Sequence, residues 1–361
     1  MSQYSASLTH FPKITYARYK KLAAYFSDLK NLWEAELPEM IAAGLEEEIA
    51  SEFIHWREQN PTDKITERLY KEEITTVSLG EPNYPKLLTQ ISDPPITLFI
   101  RGTLPKQDLP TLAVVGTRRH TEYGKIACEK LVEPLARHGV VIVSGLAFGI
   151  DCIAHKATLR AGGITVAVLG GGVDKNHIAP ANNAPIAEEI IKNGGAVISE
   201  YPPGFTPTKY SFPARNRIVA GLSLGTLVIE APEESGALIT ARVALDYNRE
   251  VMAVPHPIIS HVGMGGNNLL KFGARIITSP EDIIEALNLQ NLQKLVAAQL
   301  PLSQTPQEAE IIAALSREPK HIDEIIKQTG LPGQLVSSTL TLMEIQSKIR
   351  NLGGMKYTLL A

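Results

Sequence analysis

Between residues 111 and 288 the chain repeats one unit, a short run of apolar residues followed by an amphipathic helical pattern. The runs occupy 112–115, 140–143, 165–169, 196–199, 226–229, 251–254 and 275–277, with helical periodicity between them, for example over 126–135 and 237–245. Strands that are apolar on both faces must be covered on both, and strands separated by helices run parallel. The pattern predicts an α/β fold with a doubly wound, mostly parallel sheet.

Different patterns flank this core. Residues 1–75 read as helical: Leu22, Tyr25, Phe26, Leu29, Leu32 and Trp33 recur at helical spacing, and so do Ile41, Leu45, Ile49, Phe53, Ile54 and Trp56. Ala43-Gly44-Leu45 reads as the turn between helices, so this stretch is expected to be a helical module of the SAM or helix-hairpin-helix kind. Residues 80–110 hold six prolines around one short strand, Ile96-Thr97-Leu98-Phe99-Ile100. After a polar linker at 302–305, Thr305-Pro306-Gln307-Glu308 is a capping box that opens a first helix. Two further helices and a hairpin with Gly353-Gly354 at its turn suggest a winged helix. The expected domains are 1–75, 76–290 and 303–361.

Composition narrows the functional classes. With 35 Lys and Arg against 38 Asp and Glu, the net charge is −3, so any grip on nucleic acid must come from a local patch. The two cysteines, Cys128 and Cys152, have no zinc-like or disulfide-scaffold spacing, which points to a cytoplasmic protein without a structural metal. No signal peptide and no membrane-spanning run is legible.

In an open parallel sheet, ligands bind outside the carboxyl ends of the strands. The first three core strands are followed by Gly116-Thr117-Arg118-Arg119-His120, Ser144-Gly145-Leu146-Ala147-Phe148-Gly149-Ile150-Asp151 and Gly170-Gly171-Gly172-Val173-Asp174. Glu200 follows the fourth, and Glu230 with Ser235-Gly236-Ala237 follows the fifth. Small residues let backbone N–H groups approach an anion, and helix N-termini add partial positive charge. With Arg118 and Arg119 beside them, these loops form a candidate phosphate cradle. The competing view is that the glycines only make tight turns. Neither a P-loop nor a Gly-x-Gly-x-x-Gly fingerprint follows any strand, so no nucleotide cofactor is expected.

The stretch 201–229 contains no Asp or Glu, but it interleaves Lys209, Arg215 and Arg217 with Tyr210 and Phe212. Cations that hold phosphates and rings that stack on bases are the ingredients for gripping unpaired strands. Spacing alone leaves a second reading open, with Phe212 plugging the core and Arg215 pairing with a carboxylate.

Several motifs carry a more specific likeness. Val114-Val115-Gly116-Thr117-Arg118, Val143-Ser144-Gly145-Leu146-Ala147-Phe148-Gly149-Ile150-Asp151 with Ala154-His155, Phe212-Pro213-Ala214-Arg215-Asn216-Arg217-Ile218 and Ser235-Gly236-Ala237-Leu238-Ile239-Thr240-Ala241 occur in order over about residues 80–280. Together with Tyr84-Pro85-Lys86 and Asp93-Pro94-Pro95, the set resembles the DNA-processing protein A (DprA/Smf) family. The resemblance implies a Rossmann-like core that binds single-stranded DNA as a homodimer. It also implies delivery of that strand to the RecA recombinase in natural transformation or recombination. By the same resemblance Arg118, Lys209 and Phe212 hold DNA. Arg119, Arg215, Asn216, Arg217, Ser144, Gly145, Gly149, Ser235 and Gly236 complete the candidate set. The chain departs from the family with Ile178-Ala179-Pro180 after the third strand and Pro255-His256 after the sixth.

Enzymatic readings are weaker. Asp151 and His155, four apart, can share a helix face as an acid–base or metal pair, but no third ligand is evident. Asp151 capping backbone N–H groups with His155 packed behind it is the preferred view. Glu200 and Glu230 raise the alternative of a nucleotide phosphoribohydrolase, whose Pro-Gly-Gly-x-Gly-Thr loop is absent. A third alternative is a structural adaptor acting through the winged helix. The third helix of that module lacks Lys and Arg, and only Lys348, Arg350 and Lys356 of the hairpin are basic, so a protein-contact or regulatory role is expected there.

Overall fold

The computed structural model describes residues 2–289, 306–315, 319–345 and 349–359. The chain divides into two compact units, 1–292 and 293–361.

The first unit is built on nine strands: β1 (Thr75–Ser78), β2 (Thr97–Gly102), β3 (Thr111–Val115), β4 (Val141–Ser144), β5 (Thr165–Val168), β6 (Ala196–Ser199), β7 (Gly225–Val228), β8 (Glu250–Ala253) and β9 (Arg275–Ile276). Their order across the sheet is β1-β2-β6-β5-β4-β3-β7-β8-β9. Strands β3 to β9 pair in parallel, so each of the seven apolar runs is a strand where expected. β2 and β1 add an antiparallel edge beside β6. The connecting helices are α7 (Glu122–Arg137), α8 (Ile150–Arg160), α9 (Ala184–Lys192), α10 (Ser211–Gly221), α11 (Gly236–Asp246) and α12 (Met264–Lys271), with α13 (Pro280–Ala286) last.

Alternation along the strands sorts the core into two layers, since successive side chains point to opposite faces. Val166, Val168, Ala196 and Ile198 pack with Ile218 of α10 and Ala241 of α11. Ala167, Leu169 and Val197 pack on the other face with Ala187 and Ile190 of α9. The chain winds outward from β3 to β6 and then returns to β7 on the other side of β3, so the switch point lies between β3 and β7.

The two helical runs of the N-terminal segment fall, among the described residues, within six helices: α1 (Ser2–Thr9), α2 (Tyr16–Tyr25), α3 (Leu29–Glu34), α4 (Leu37–Ala42), α5 (Glu47–Gln59) and α6 (Thr62–Lys71). The turn at Gly44 joins α4 to α5, with φ of +90°. Ala6, Ile65 and Leu69 from α1 and α6 join Phe99 and Val197 in the sheet's own core. A separate aromatic cluster has Phe53 at its centre, edge-on to Phe11 at 5.4 Å and Trp33 at 5.5 Å, and stacked with Trp56 at 6.3 Å.

The second unit contains α14 (Pro306–Ala314), β10 (Lys320–His321), α15 (Ile322–Thr329), α16 (Gly333–Ile345), β11 (Ile349–Asn351) and β12 (Lys356–Leu359). The three helices and a β10-β12-β11 sheet make the winged helix, packed around Ile311, Ile325, Val336, Leu340 and Tyr357. The expected capping box at Thr305 and the linker before it lie outside the described residues, as does Lys348. Among the described residues no helix is long and apolar enough to cross a membrane.

Truncating the ring of Phe53 removes the piece that three other rings pack against, and a buried Phe→Ala change costs about 3–5 kcal/mol. Phe53→Ala is therefore expected to lower the urea midpoint of the first unit markedly. Fluorescence of Trp33 and Trp56 follows the transition, and an unchanged midpoint would contradict this packing account.

Candidate nucleic-acid interface

At the carboxyl edge of the sheet, helix starts α7, α8, α10 and α11 converge, and backbone N–H groups at or just before each are bonded from within. The backbone N–H and hydroxyl of Thr121, at the start of α7, both donate to the Glu230 carboxylate at 2.7 Å. Asp151 at the start of α8 accepts from the backbone N–H groups of Gly145 (3.1 Å) and Ala147 (3.4 Å). Before α10, Thr208 and Ser211 bond each other: Ser211 N–H donates to the Thr208 hydroxyl at 3.2 Å and Thr208 N–H to the Ser211 hydroxyl at 2.9 Å. The Ser235 hydroxyl accepts from Ala237 N–H at 3.3 Å. Backbone N–H groups of these loops are thus engaged by the protein's own Glu230 and Asp151 carboxylates, and the positive charge facing solvent at this edge is carried by side-chain cations.

Those cations are Arg118 and Arg119 after β3 and Lys209 before α10, all exposed and in no ion pair among the described residues. The Arg118 guanidinium lies 5.6 Å from the centroid of the Phe212 ring, within cation–π range. Phe212 is half-buried, at the first turn of α10, and does not plug the core. Its ring rests over Gly170, where an added Cβ would sit 3.0 Å from the ring edge. The neighbouring Gly171 and Gly172 let Pro207 and the backbone at Pro202 approach as closely. The glycine run after β5 is thus the bed on which the acid-free segment lies, and it delivers Lys209, Tyr210 and Phe212 to this edge. Lys209 stands 5.0 Å from the ring of Tyr210, which is 73% exposed. The exposed Lys175 after β5 belongs to the same edge and was not singled out from the sequence. An exposed Lys in a loop gives no periodic signal.

The other candidates are occupied differently. Arg215 is only 4% exposed and donates to the carbonyls of Gly145 (2.6 Å) and Val168, facing Asp151. Burial pulls its pKa down to about 10, with the Asp151 charge opposing the shift. Gly145 is Gly because a Cβ there would meet the guanidinium at 2.4 Å. Ser144 is buried and donates to Val114 O at 2.6 Å. Arg215, Ser144 and Gly145 are thus engaged within the protein, where they position the loops. Arg217 bridges Asp93 (2.9 Å) and Glu200 (2.6 Å), and Asp93 also accepts from the Tyr247 hydroxyl at 2.7 Å. Asn216 donates to Gly236 O at 3.3 Å and so ties α10 to the start of α11. Gly149 is half-buried beneath the Arg118 backbone.

The enzymatic candidates are likewise engaged. Glu200 and Glu230 face separate partners, Arg217 and Thr121. Asp151 and His155 do not form a pair. The Thr165 hydroxyl donates to Ile142 O, so His155 Nδ1–H donates to Thr165 at 2.7 Å, which leaves Nε2 bare and buried. Protonating it would bury a charge near Arg215, and burial with that repulsion depresses the ring pKa to about 3. Among the described residues, no group of three or more His, Cys, Asp or Glu is placed to hold a metal.

Because the folded value lies below the unfolded one near 6.5, the neutral ring contributes stability above pH 6.5, lost as pH falls towards 3. The advantage of the wild type over His155→Gln is expected to shrink by about 2–3 kcal/mol between pH 6.5 and 4.5. Paired urea titrations at the two pH values measure it, and a constant difference would show that the ring carries no such linkage.

Comparison with known proteins agrees with this geometry. Residues 75–288 match the family model described as DNA recombination-mediator protein A, and residues 296–355 match that of the DprA winged helix domain. The chain is 34% identical to protein Smf of Synechocystis, over 94% of each sequence. DNA processing protein A from Streptococcus pneumoniae superposes with a TM-score of 0.66 at 33% identity, covering 79% of this chain and 98% of that one. DNA processing protein A from Helicobacter pylori, whose structure is described in terms of a single-stranded DNA binding mode, gives 0.54 at 34% identity, covering 60% and 97%.

Proposed function

The chain belongs to the DNA recombination-mediator protein A family, and from that premise we propose that it binds single-stranded DNA across the carboxyl edge of its sheet without cutting it. The observation that carries this reading is the Arg118–Phe212 pair, a cation against the face of a half-exposed ring, with Lys209 and Tyr210 beside it. Arg118, Arg119 and Lys209 neutralise phosphates, and the rings stack on bases, a contact worth about 1–3 kcal/mol per base. Neither contact reads base edges, so sequence preference is slight. The Helicobacter pylori relative's single-strand binding supports the same assignment here.

The strand so held is handed to the RecA recombinase in transformation or related recombination, in keeping with the family's description as a recombination mediator. Its place of action is the cytoplasm, which suits the two unpaired cysteines. The winged helix contributes a protein contact. Its α16 exposes Gln334, Leu335, Ser338, Thr341 and Leu342, with Glu344 its one exposed charge among the described residues, and so carries no positive charge. The working form is a homodimer. Strand β9 closes the sheet with an unpaired edge, Ile276 on it is 60% exposed, and the neighbouring Phe272 is also exposed.

Arg118→Ala and Lys209→Ala are expected to weaken binding of a labelled oligothymidylate and to reduce the slope of log affinity against log salt by about one each. Phe212→Ala weakens it with the slope unchanged. Fluorescence anisotropy over a salt series reads all three, and unaltered affinity throughout would remove the site assignment. Ile276→Glu is expected to halve the mass seen by light scattering at micromolar protein. A wild type that is already monomeric, or a variant that stays dimeric, would reject the edge-strand dimer.

A further inference from the structure

The loop after β4 contains a feature that single-strand binding through Arg118 and Phe212 does not use. Phe148 is 46% exposed, and no ring or cation among the described residues packs against it. Solvated rings are common on flexible loops, but this loop is held at every residue around the ring. Gly145 N–H and Ala147 N–H both donate to Asp151. Leu146 is fully buried, and its carbonyl accepts from Asn183 Nδ2 at 2.8 Å. It also has φ of +55°, a left-handed conformation that costs a non-glycine residue about 1–2 kcal/mol. Gly149 has φ of +79°, and an added Cβ would lie 2.2 Å from Thr117 O and 2.8 Å from the Arg118 Cα. Ile150 N–H then donates to Thr117 O at 3.2 Å. Backbone strain of this kind persists only where the surroundings over-determine it, and it collects at binding sites.

These contacts also locate the ring. With Gly149 packed on the Arg118 backbone and consecutive Cα atoms 3.8 Å apart, the Cα of Phe148 lies within about 8 Å of that of Arg118. Phe148 follows β4, Arg118 follows β3, and Phe212 lies over the loop after β5. The three residues therefore stand along the carboxyl edge within neighbouring strands. An exposed ring on a held loop, near a cation that makes no ion pair among the described residues, is pre-organised for a flat, apolar ligand that carries negative charge.

We propose that Phe148 is a second base-stacking platform, which takes a different base of the same strand from the one on Phe212, with Arg118 serving the phosphate between them. The proposal rests on the single-strand reading above and adds a residue and a register to it. A two-platform site also predicts a length effect, because an oligonucleotide too short to reach both rings gains nothing from the second.

The test is anisotropy with fluorescein-labelled oligothymidylates of graded length, using the full chain. Phe148→Ala is expected to lower affinity for long oligomers about 5- to 100-fold with an unchanged salt slope, and to leave the shortest binding oligomers unaffected. Phe148→Trp retains affinity, and its added fluorescence is quenched on binding. Phe148→Leu, which keeps apolar bulk but no flat face, behaves like the Ala variant. If Phe148→Ala matches the wild type at every length while Arg118→Ala and Phe212→Ala are weakened, the second platform is wrong and the principal site stands. Restoration by Leu would overturn stacking as its role. If the wild type itself fails to bind oligothymidylate, both this proposal and the reading beneath it fall. Thermal melts of each variant check the fold, which an exposed side chain leaves intact.

Discussion

One buried guanidinium organises the binding edge. Arg215 reaches from the second turn of α10 to the carbonyls of Gly145 and Val168, at the ends of two adjacent strands, and faces the Asp151 carboxylate. A buried guanidinium must keep its hydrogen bonds, because a charge left without partners in the interior is costly. The bonds of Arg215 to two strand ends therefore act as a latch. It fixes the register of α10 against the sheet, and with it the positions of Lys209, Tyr210 and Phe212 one turn earlier. The same Asp151 holds the loop that carries Phe148. The two ring-bearing segments thus depend on two buried charged residues at the centre of the edge, Arg215 and Asp151, and neither touches solvent appreciably.

The helix N-termini explain what kind of anion this edge suits. A Rossmann-like site that takes a mononucleotide leaves its helix N–H groups open for the phosphate. Here Glu230 accepts from the N-cap residue of α7 and Asp151 from loop N–H groups before α8, and burial pushes the Asp151 carboxyl up despite the pull of Arg215. A small phosphate ligand using these N–H groups would have to displace a carboxylate that the fold has built around. On the proposed reading, a polymer avoids this by lying over the edge and collecting separate contacts from Arg118, Arg119 and Lys209. This also reconciles polyanion binding with a net charge of −3, since the phosphates meet a local cluster and not the mean surface.

The sequence was most legible where periodicity carries the information. Seven two-face-apolar runs became seven parallel strands because burial on both faces leaves no other pattern. The turn at Gly44 and the winged helix were legible from glycines and helix periods. The antiparallel edge was half legible: β2 sits at the predicted 96–100 run, while β1 at Thr75–Ser78 is short and polar enough to read as the end of a helical region. At the site, residue type did not separate Arg118 from Arg215. Both stand in glycine-rich or basic motifs, yet one is exposed over a ring and the other is sealed among carbonyls. That difference depends on which loop lies above which strand, a long-range fact that no local window contains. The same holds for Glu230, one of two candidate acids in sequence, which in the structure holds Thr121, the N-cap of α7.

The two compact units carry different kinds of surface, and this bears on how affinity is distributed. In the first unit, exposed cations and rings gather at one sheet edge beside an acid-free segment. In the second, the exposed face of α16 offers two leucines among Ser, Thr and Gln, and the basic residues Arg350 and Lys356 lie on the hairpin. A recognition helix in a duplex groove needs donors aimed at phosphates and base edges, and the helix here supplies no positive charge for them. On the proposed reading, polyanion affinity belongs to the sheet edge, where strength scales with the phosphates neutralised and the bases stacked. The two units differ in composition as well as in fold: cations and rings mark the sheet edge, and the winged helix's α16 offers apolar and neutral polar groups.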